Sequence, residues 1–165
     1  MGRPTIRANA EMQRLIDKLA AASLPAVSGR ILRYLDDGVV EREGCVLLKA
    51  FAAETGGFEP QHHHDRTQYE CAVNRLEFEA VPARPDEALA TALTYAGQLA
   101  DMLDRSALGP FRVILSHHPR DGRCAVRFHR LRDGESWQPT PADAEPGAAV
   151  LVLDSAAEPS AARQG

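Results

Sequence analysis

FRVILSHHPRDGRCAVRFHRLR, Phe111 to Arg132, is the stretch whose alternation decides the fold. Successive strand residues point to opposite faces. Phe111, Val113, Leu115 and His117 therefore share one side of a first strand, and Cys124, Val126 and Phe128 match them on a return strand. Pro119-Arg120-Asp121-Gly122 supplies the turn, either as a two-residue Asp-Gly turn or as a four-residue turn using Pro119. Both registers keep the apolar sets opposed, so the face assignment holds for either. The other face carries Arg112, Ile114, Ser116 and His118 beside Arg123, Ala125, Arg127 and His129, a cationic strip on a flat sheet face.

The chain before the hairpin supplies its cover. Pro82 and Pro85 precede Asp86-Glu87, acids that suit the first turn of a helix. Leu89, Leu93, Ala96, Leu99, Ala100 and Leu103 make one apolar face, which predicts a helix over 86–105, ended by Gly109-Pro110. Gln68 to Ala80 reads as a strand. Tyr69, Cys71 and Val73 share one parity and Leu76, Phe78 and Ala80 the other, a phase change that a bulge at Asn74-Arg75 explains. Gly44 to Phe51 is almost continuously apolar and reads as a central strand. Asn9 caps a helix to about Ala21, with Met12, Leu15, Ile16 and Leu19 at i, i+3, i+4, i+7. Ser23 and Pro25 start a second helix over 24–36, in which Ser28-Gly29 are weak helix formers and which Asp37-Gly38 ends. Val150 to Leu153 is a last short strand. Residues 1–8 are expected to be a flexible arm and 155–165 a disordered tail, which leaves one domain over 9–154. The order α-α-β-β-α-β-β with a final β predicts an α+β domain. Its four- to five-stranded, mainly antiparallel sheet carries helices packed on one face.

Composition bounds the rest. A chain of 165 residues buries a sizeable core without staples. At 44% hydrophobic and 25% charged it has the make-up of a soluble globular protein, and with aromatics at 5% its core falls to Ala, Leu and Val. Cys45, Cys71 and Cys124 form no CxxC pair and leave one odd, so they are expected to be reduced core residues in a cytoplasmic setting. The N-terminal residues have no apolar signal-peptide region, and no run reaches the roughly 20 apolar residues of a membrane span.

The charge is unevenly placed. The hairpin holds six arginines against one acid, Asp121, so it is +5 in a chain of formal net charge −4, and the other 143 residues carry −9. Segregation of this kind marks a partner surface, unless the arginines pair with Glu70, Glu77 and Glu79 next door. No aromatic faces outward on the strip, which disfavours single-stranded RNA, since RNA on a sheet stacks its bases on aromatics. An acidic protein surface is the better match, with Arg112, His118, Arg123, Arg127 and His129 as contacts and the lone Trp137 either packed on the sheet edge or an anchor. Ile114 and Leu131, if exposed, would offer a homodimer surface.

The histidines fall at 62–64, 117–118 and 129. Cys with His suits zinc. A site of His62, His64, His117 and Cys124 requires the 62–66 loop to fold over the hairpin tip, where His117 and Cys124 are opposite in the four-residue-turn register. His129 points to the other face. There is no HExxH, Gly-rich phosphate loop, GxSxG elbow or Walker lysine. A Cys124/His117 nucleophile pair has the spacing of ordinary core packing. Arg30 and Arg33 on the 24–36 helix suggest a DNA-reading helix, but Asp36 and Asp37 follow them directly. The expectation is therefore a non-enzymatic protein-binding module of the inhibitor, immunity, chaperone or adaptor kind, needing no cofactor and no membrane. A zinc protein, a hydrolase among them, is the alternative, and a DNA-binding regulator a more distant one.

Overall fold

A computed structural model of the chain describes residues 4–19, 27–54 and 63–155. Its elements run β1 (Thr5–Ala8), α1 (Ala10–Leu19), α2 (Gly29–Asp37), β2 (Val39–Arg42), β3 (Cys45–Leu48), α3 (Lys49–Glu54), α4 (Arg66–Val73), β4 (Leu76–Phe78), α5 (Glu87–Ser106), β5 (Phe111–His117), β6 (Cys124–Arg130) and β7 (Ala149–Asp154). An antiparallel five-stranded sheet has the order β1-β7-β5-β6-β4, and β2 and β3 form a separate hairpin. This is the single α+β domain that the alternation predicts.

The basic segment lies at the sheet's centre, with β5 between β7 and β6. It adopts the four-residue-turn register: His117 is opposite Cys124, and His118 N donates to Arg123 O at 2.8 Å. Gly122 closes the turn at a φ of 73°, a left-handed conformation that costs glycine nothing. Phe111, Val113, Leu115, Cys124, Val126 and Phe128 enter the main core under Leu89, Ala92, Tyr95, Ala96, Leu99 and Leu103 of α5. The Phe111 and Phe128 rings meet edge-on with centroids 6.0 Å apart. Each such buried side chain contributes about 1.5–3 kcal/mol. Asn9 caps α1 as expected, its Oδ1 accepting from Met12 N at 3.0 Å.

Five expectations are corrected. Thr5–Ala8, assigned to a loose arm, is β1 and pairs with β7 from Thr5↔Asp154 to Ala8↔Leu151. Ser28 caps α2 from outside the helix, its side chain accepting from Ile31 N at 3.4 Å, so Ser28-Gly29 begin this helix instead of interrupting it; the Ser23-Pro25 start lies outside the described residues. The apolar run at 44–51 is a strand only to Leu48 and pairs with β2, so it is not in the main sheet. It is buried throughout because α2, α3 and α4 pack around it. Residues 66–73, read as strand, are helical: Asp65 Oδ1 accepts from Gln68 N at 2.7 Å and caps α4. The phase change at Asn74-Arg75 is the junction between that helix and β4, with no bulge. Finally, the helices occupy both faces, for α5 covers the core side while Cys71 of α4 packs on Ile114, Val150 and Val152 of the other. The tail expected beyond residue 155 lies outside the described residues.

Candidate functional site

The outer face of the hairpin is not the open strip that alternation suggests. Ile114 is only 2% exposed, packed with Cys71, Val150 and Val152 and flanked by Trp137 and Ala144 of the connector before β7. Covered in this way, Ile114 gives no homodimer surface. Arg112 lies flat against β7, donating to Asp154 through Nε at 2.7 Å and Nη2 at 2.9 Å, bonds that raise its pKa. His129 is 1% exposed. Its Nδ1 lies 2.8 Å from Arg130 O, and a carbonyl only accepts, so Nδ1 carries the proton. Its Nε2 is buried without a hydrogen-bond partner, and burial lowers its pKa. Trp137 is half-buried, with the Arg127 guanidinium 5.2 Å from its ring centroid. Of the expected contact residues, then, Arg112, His129 and Trp137 are turned to internal contacts, and His118, Arg123 and Arg127 remain at the tip.

A polar bridge explains why α4 lies there. β4 pairs with β6 only from Cys124 to Val126, so farther along the backbone of β6 needs other partners. Glu70 and Asn74 of the α4 turn provide them. Glu70, fully buried, accepts from Val46 N at 2.5 Å, Arg130 N at 3.0 Å and Arg132 Nη1 at 2.5 Å. Asn74 accepts from Leu48 N at 3.0 Å and donates to Val46 O at 2.9 Å and Phe128 O at 3.4 Å. Two side chains thus join β3 to β6 where no strand ladder does. Glu70 does meet a hairpin arginine, as expected, but from a helix.

At the other end of β6, toward the tip, the outer face opens into a cavity of about 460 Å³. The register builds it. Glu77, Ala125, Ser116 and Val150 form one row across β4, β6, β5 and β7, and the two small central residues leave a hollow. On one side Arg127 stands level with Arg75, which continues the β4 register by one step. On the other, Arg123 is level with His118. Four arginines, Arg75, Arg120, Arg123 and Arg127, and His117 and His118 line the cavity against Glu77, Asp121 and Glu145. Arg75 pairs with Glu77, and Asp121 takes both His118 Nδ1 at 3.1 Å and Arg123 Nη2 at 3.5 Å. The Asp121 carboxyl is held below its usual range first by the Arg123 backbone N–H. Arg127 has no hydrogen bond or ion pair with any described residue. It stacks over Trp137, and its pKa is lowered first by burial and then by Arg75 beside it, with Glu77 acting the other way.

Among the described residues the expected His/Cys site is not brought together. His117 and Cys124 face each other, yet burial pushes the Cys124 thiol up to about 12 and lowers the His117 pKa, which leaves a neutral pair instead of a thiolate and imidazolium. All three cysteines are free and buried, as read. His62 lies outside the described residues. Residues 63–66 sit by Glu43, which accepts from Arg66, and by Glu135, which accepts from Thr67 N. That is the far end of β6 from the tip, about 20 Å at roughly 3.3 Å per residue. His64 therefore does not approach His117 and Cys124, and among the described residues no group of three or more His, Cys, Asp or Glu is placed to hold a metal ion. Arg30 and Arg33 are exposed on α2, but α1 rests chiefly on β7 and β1 and α2 on α3, α5 and β3, instead of the two forming one packed pair. Among the described residues no helix is long and apolar enough to cross a membrane.

The tip pocket gathers His118, Arg123 and Arg127 of the expected contact set together with Arg75 and the Ser116–Ala125 floor, which the sequence reading did not single out. The small pair was visible in the alternation. Arg75 was hidden, because its level is set only when β4 is separated from α4. No curated protein and no solved structure matches the chain. A family model does match over residues 7–161, and the chain belongs to the uncharacterized protein PM0498 family.

Proposed function

We propose that the protein is a non-enzymatic binding module, of the inhibitor, immunity, chaperone or adaptor kind, that receives an acidic group of a protein partner in the hairpin-tip pocket. The observation that carries this reading is Arg127, a half-buried guanidinium on the pocket wall with Arg75 beside it and no carboxylate of its own. A charge-assisted bidentate contact is what such a group lacks. A cationic pocket on a chain of net charge −4 also steers an acidic partner to one place on the surface.

Titration of the full chain with a glutamate-rich peptide, followed by calorimetry and by the arginine Nε–H resonances, tests it. Saturable binding that weakens with added salt and drops at least about tenfold in Arg127→Ala is expected, a loss of roughly 1.4 kcal/mol or more. Arg14→Ala on α1 is the control and leaves binding unchanged. Equal affinity in Arg127→Ala and the unaltered chain would sink the reading.

A further inference from the structure

We propose that the acidic group seated in this pocket is a phosphomonoester dianion borne on a side chain of the partner, a phosphoserine or phosphothreonine, instead of a carboxylate. This rests on the reading of the tip pocket as the partner site.

The pocket is built for more than one cation can satisfy. A carboxylate brings one charge and two oxygens, and a single fork-to-fork contact with Arg127 would use both. Arg75 on the β4 side and Arg120 in the turn would then still face the hollow, and Arg120, like Arg127, has no carboxylate partner among the described residues. A phosphomonoester carries nearly two charges at neutral pH and three acceptor oxygens in a tetrahedral array. Its oxygens can be met from several directions at once. Arg127 and Arg75, the latter also paired with Glu77, stand on one wall, and Arg123 and His118, which share Asp121, on the opposite one. Ser116 lies on the floor between them, and its hydroxyl has no hydrogen bond with any described residue.

Size and lining agree. A floor of Ser116 and Ala125 sinks the site below the flanking rows, and about 460 Å³ is far more room than a carboxylate needs. Pro119, Pro139 and Pro146 also line it, rigid apolar residues against which a short stretch of main chain can lie. A nucleotide finds less. No Phe, Tyr or Trp lines the cavity for a base to stack on, and the nearby Trp137 is already covered by Arg127.

The test uses the full chain and four probes: a short Gly/Ala-rich peptide with a central phosphoserine, the same peptide with glutamate or with serine there, and inorganic phosphate. Binding is read by calorimetry and by the ³¹P resonance. The phosphoserine peptide is expected to bind at least about tenfold more tightly than the glutamate peptide, with none measurable for serine. Inorganic phosphate should compete with it weakly, and both should lose about tenfold or more in Arg127→Gln. Arg75→Gln is the second variant, should Arg127→Gln fail to give a native thermal melt, and the same loss is expected. Equal affinity of the glutamate and phosphoserine peptides overturns the phosphate assignment and leaves the acidic-partner reading standing. Binding of inorganic phosphate with no gain from the peptide overturns the side-chain source. Absence of binding by all the probes overturns both readings.

Discussion

Glu70 shows how much one residue settles here. It is a fully buried carboxylate that accepts from two backbone amides on different elements, Val46 and Arg130, and from the Arg132 guanidinium. Truncation leaves the two amides without this acceptor in a dry site and takes the carboxylate from Arg132, whose Nη1 keeps Thr67 Oγ1 and the Arg130 carbonyl. Glu70→Ala is therefore expected to cost about 3–5 kcal/mol, with a matching fall in the urea midpoint, and Glu70→Gln, which keeps one acceptor oxygen, to cost less. His129 makes a second prediction. It is enclosed by Glu70, Arg112, Arg132 and the Arg130 carbonyl, and burial holds its pKa below the ordinary value. At a pH below roughly 6.5 the unfolded chain binds a proton that the native state refuses, so stability falls as pH drops through that value, by at most about 1.4 kcal/mol per pH unit. His117 adds in the same direction. Urea unfolding at about pH 7.5 and about pH 5.5 measures the loss, and His129→Gln should reduce it. A pH-independent midpoint across that range would contradict the burial of both rings.

At the level of elements, the sequence was clearest where periodicity ran long. The α5 face and the β5–β6 alternation were both legible because each repeats over several turns or pairs. Short segments misled. Tyr69, Cys71 and Val73 alternate like a strand, yet Asp65 with Gln68 three residues on is a helix-start signature, and it prevailed. The β2–β3 hairpin was half-missed because its turn residues are Glu43-Gly44, without the Asn or Asp that usually announces one. Arg42 pairs with Cys45, and Glu43 and Gly44 take φ values of 50° and 81°, the two-residue turn with both centres left-handed. Glutamate is strained there and asparagine much less so. Glu43→Asn is expected to stabilise the protein by about 0.5–1 kcal/mol, seen as a higher Tm. The Arg66 bond to the Glu43 carbonyl is unaffected, since it uses backbone.

For the whole molecule, the hairpin's surplus charge is largely neutralised by acids on other parts of the chain. Arg112, Arg123, Arg130 and Arg132 are paired with Asp154, Asp121, Glu41 and Glu70. Three of these pairs join separate elements, and the two hairpin arginines without a carboxylate partner among the described residues, Arg120 and Arg127, line the tip pocket. The shape of that pocket follows from Ser116 and Ala125. Ser116→Leu fills the hollow without touching an ion pair, so it is expected to weaken acidic-peptide binding about tenfold while stability shifts by less than about 1 kcal/mol. Calorimetry and a thermal melt on the same sample check both halves. What the sequence alone determined is which hairpin residues face the core and which face away, because alternation is a property of each strand by itself. Only the tertiary structure decided what covers the outward face. That cover depends on Glu70 and Asn74 reaching backbone groups 24 to 60 positions away in the chain, and on a β4 register that brings Arg75 level with Arg127. Such pairings follow from the need to satisfy buried polar groups across the whole fold, and no local pattern encodes them.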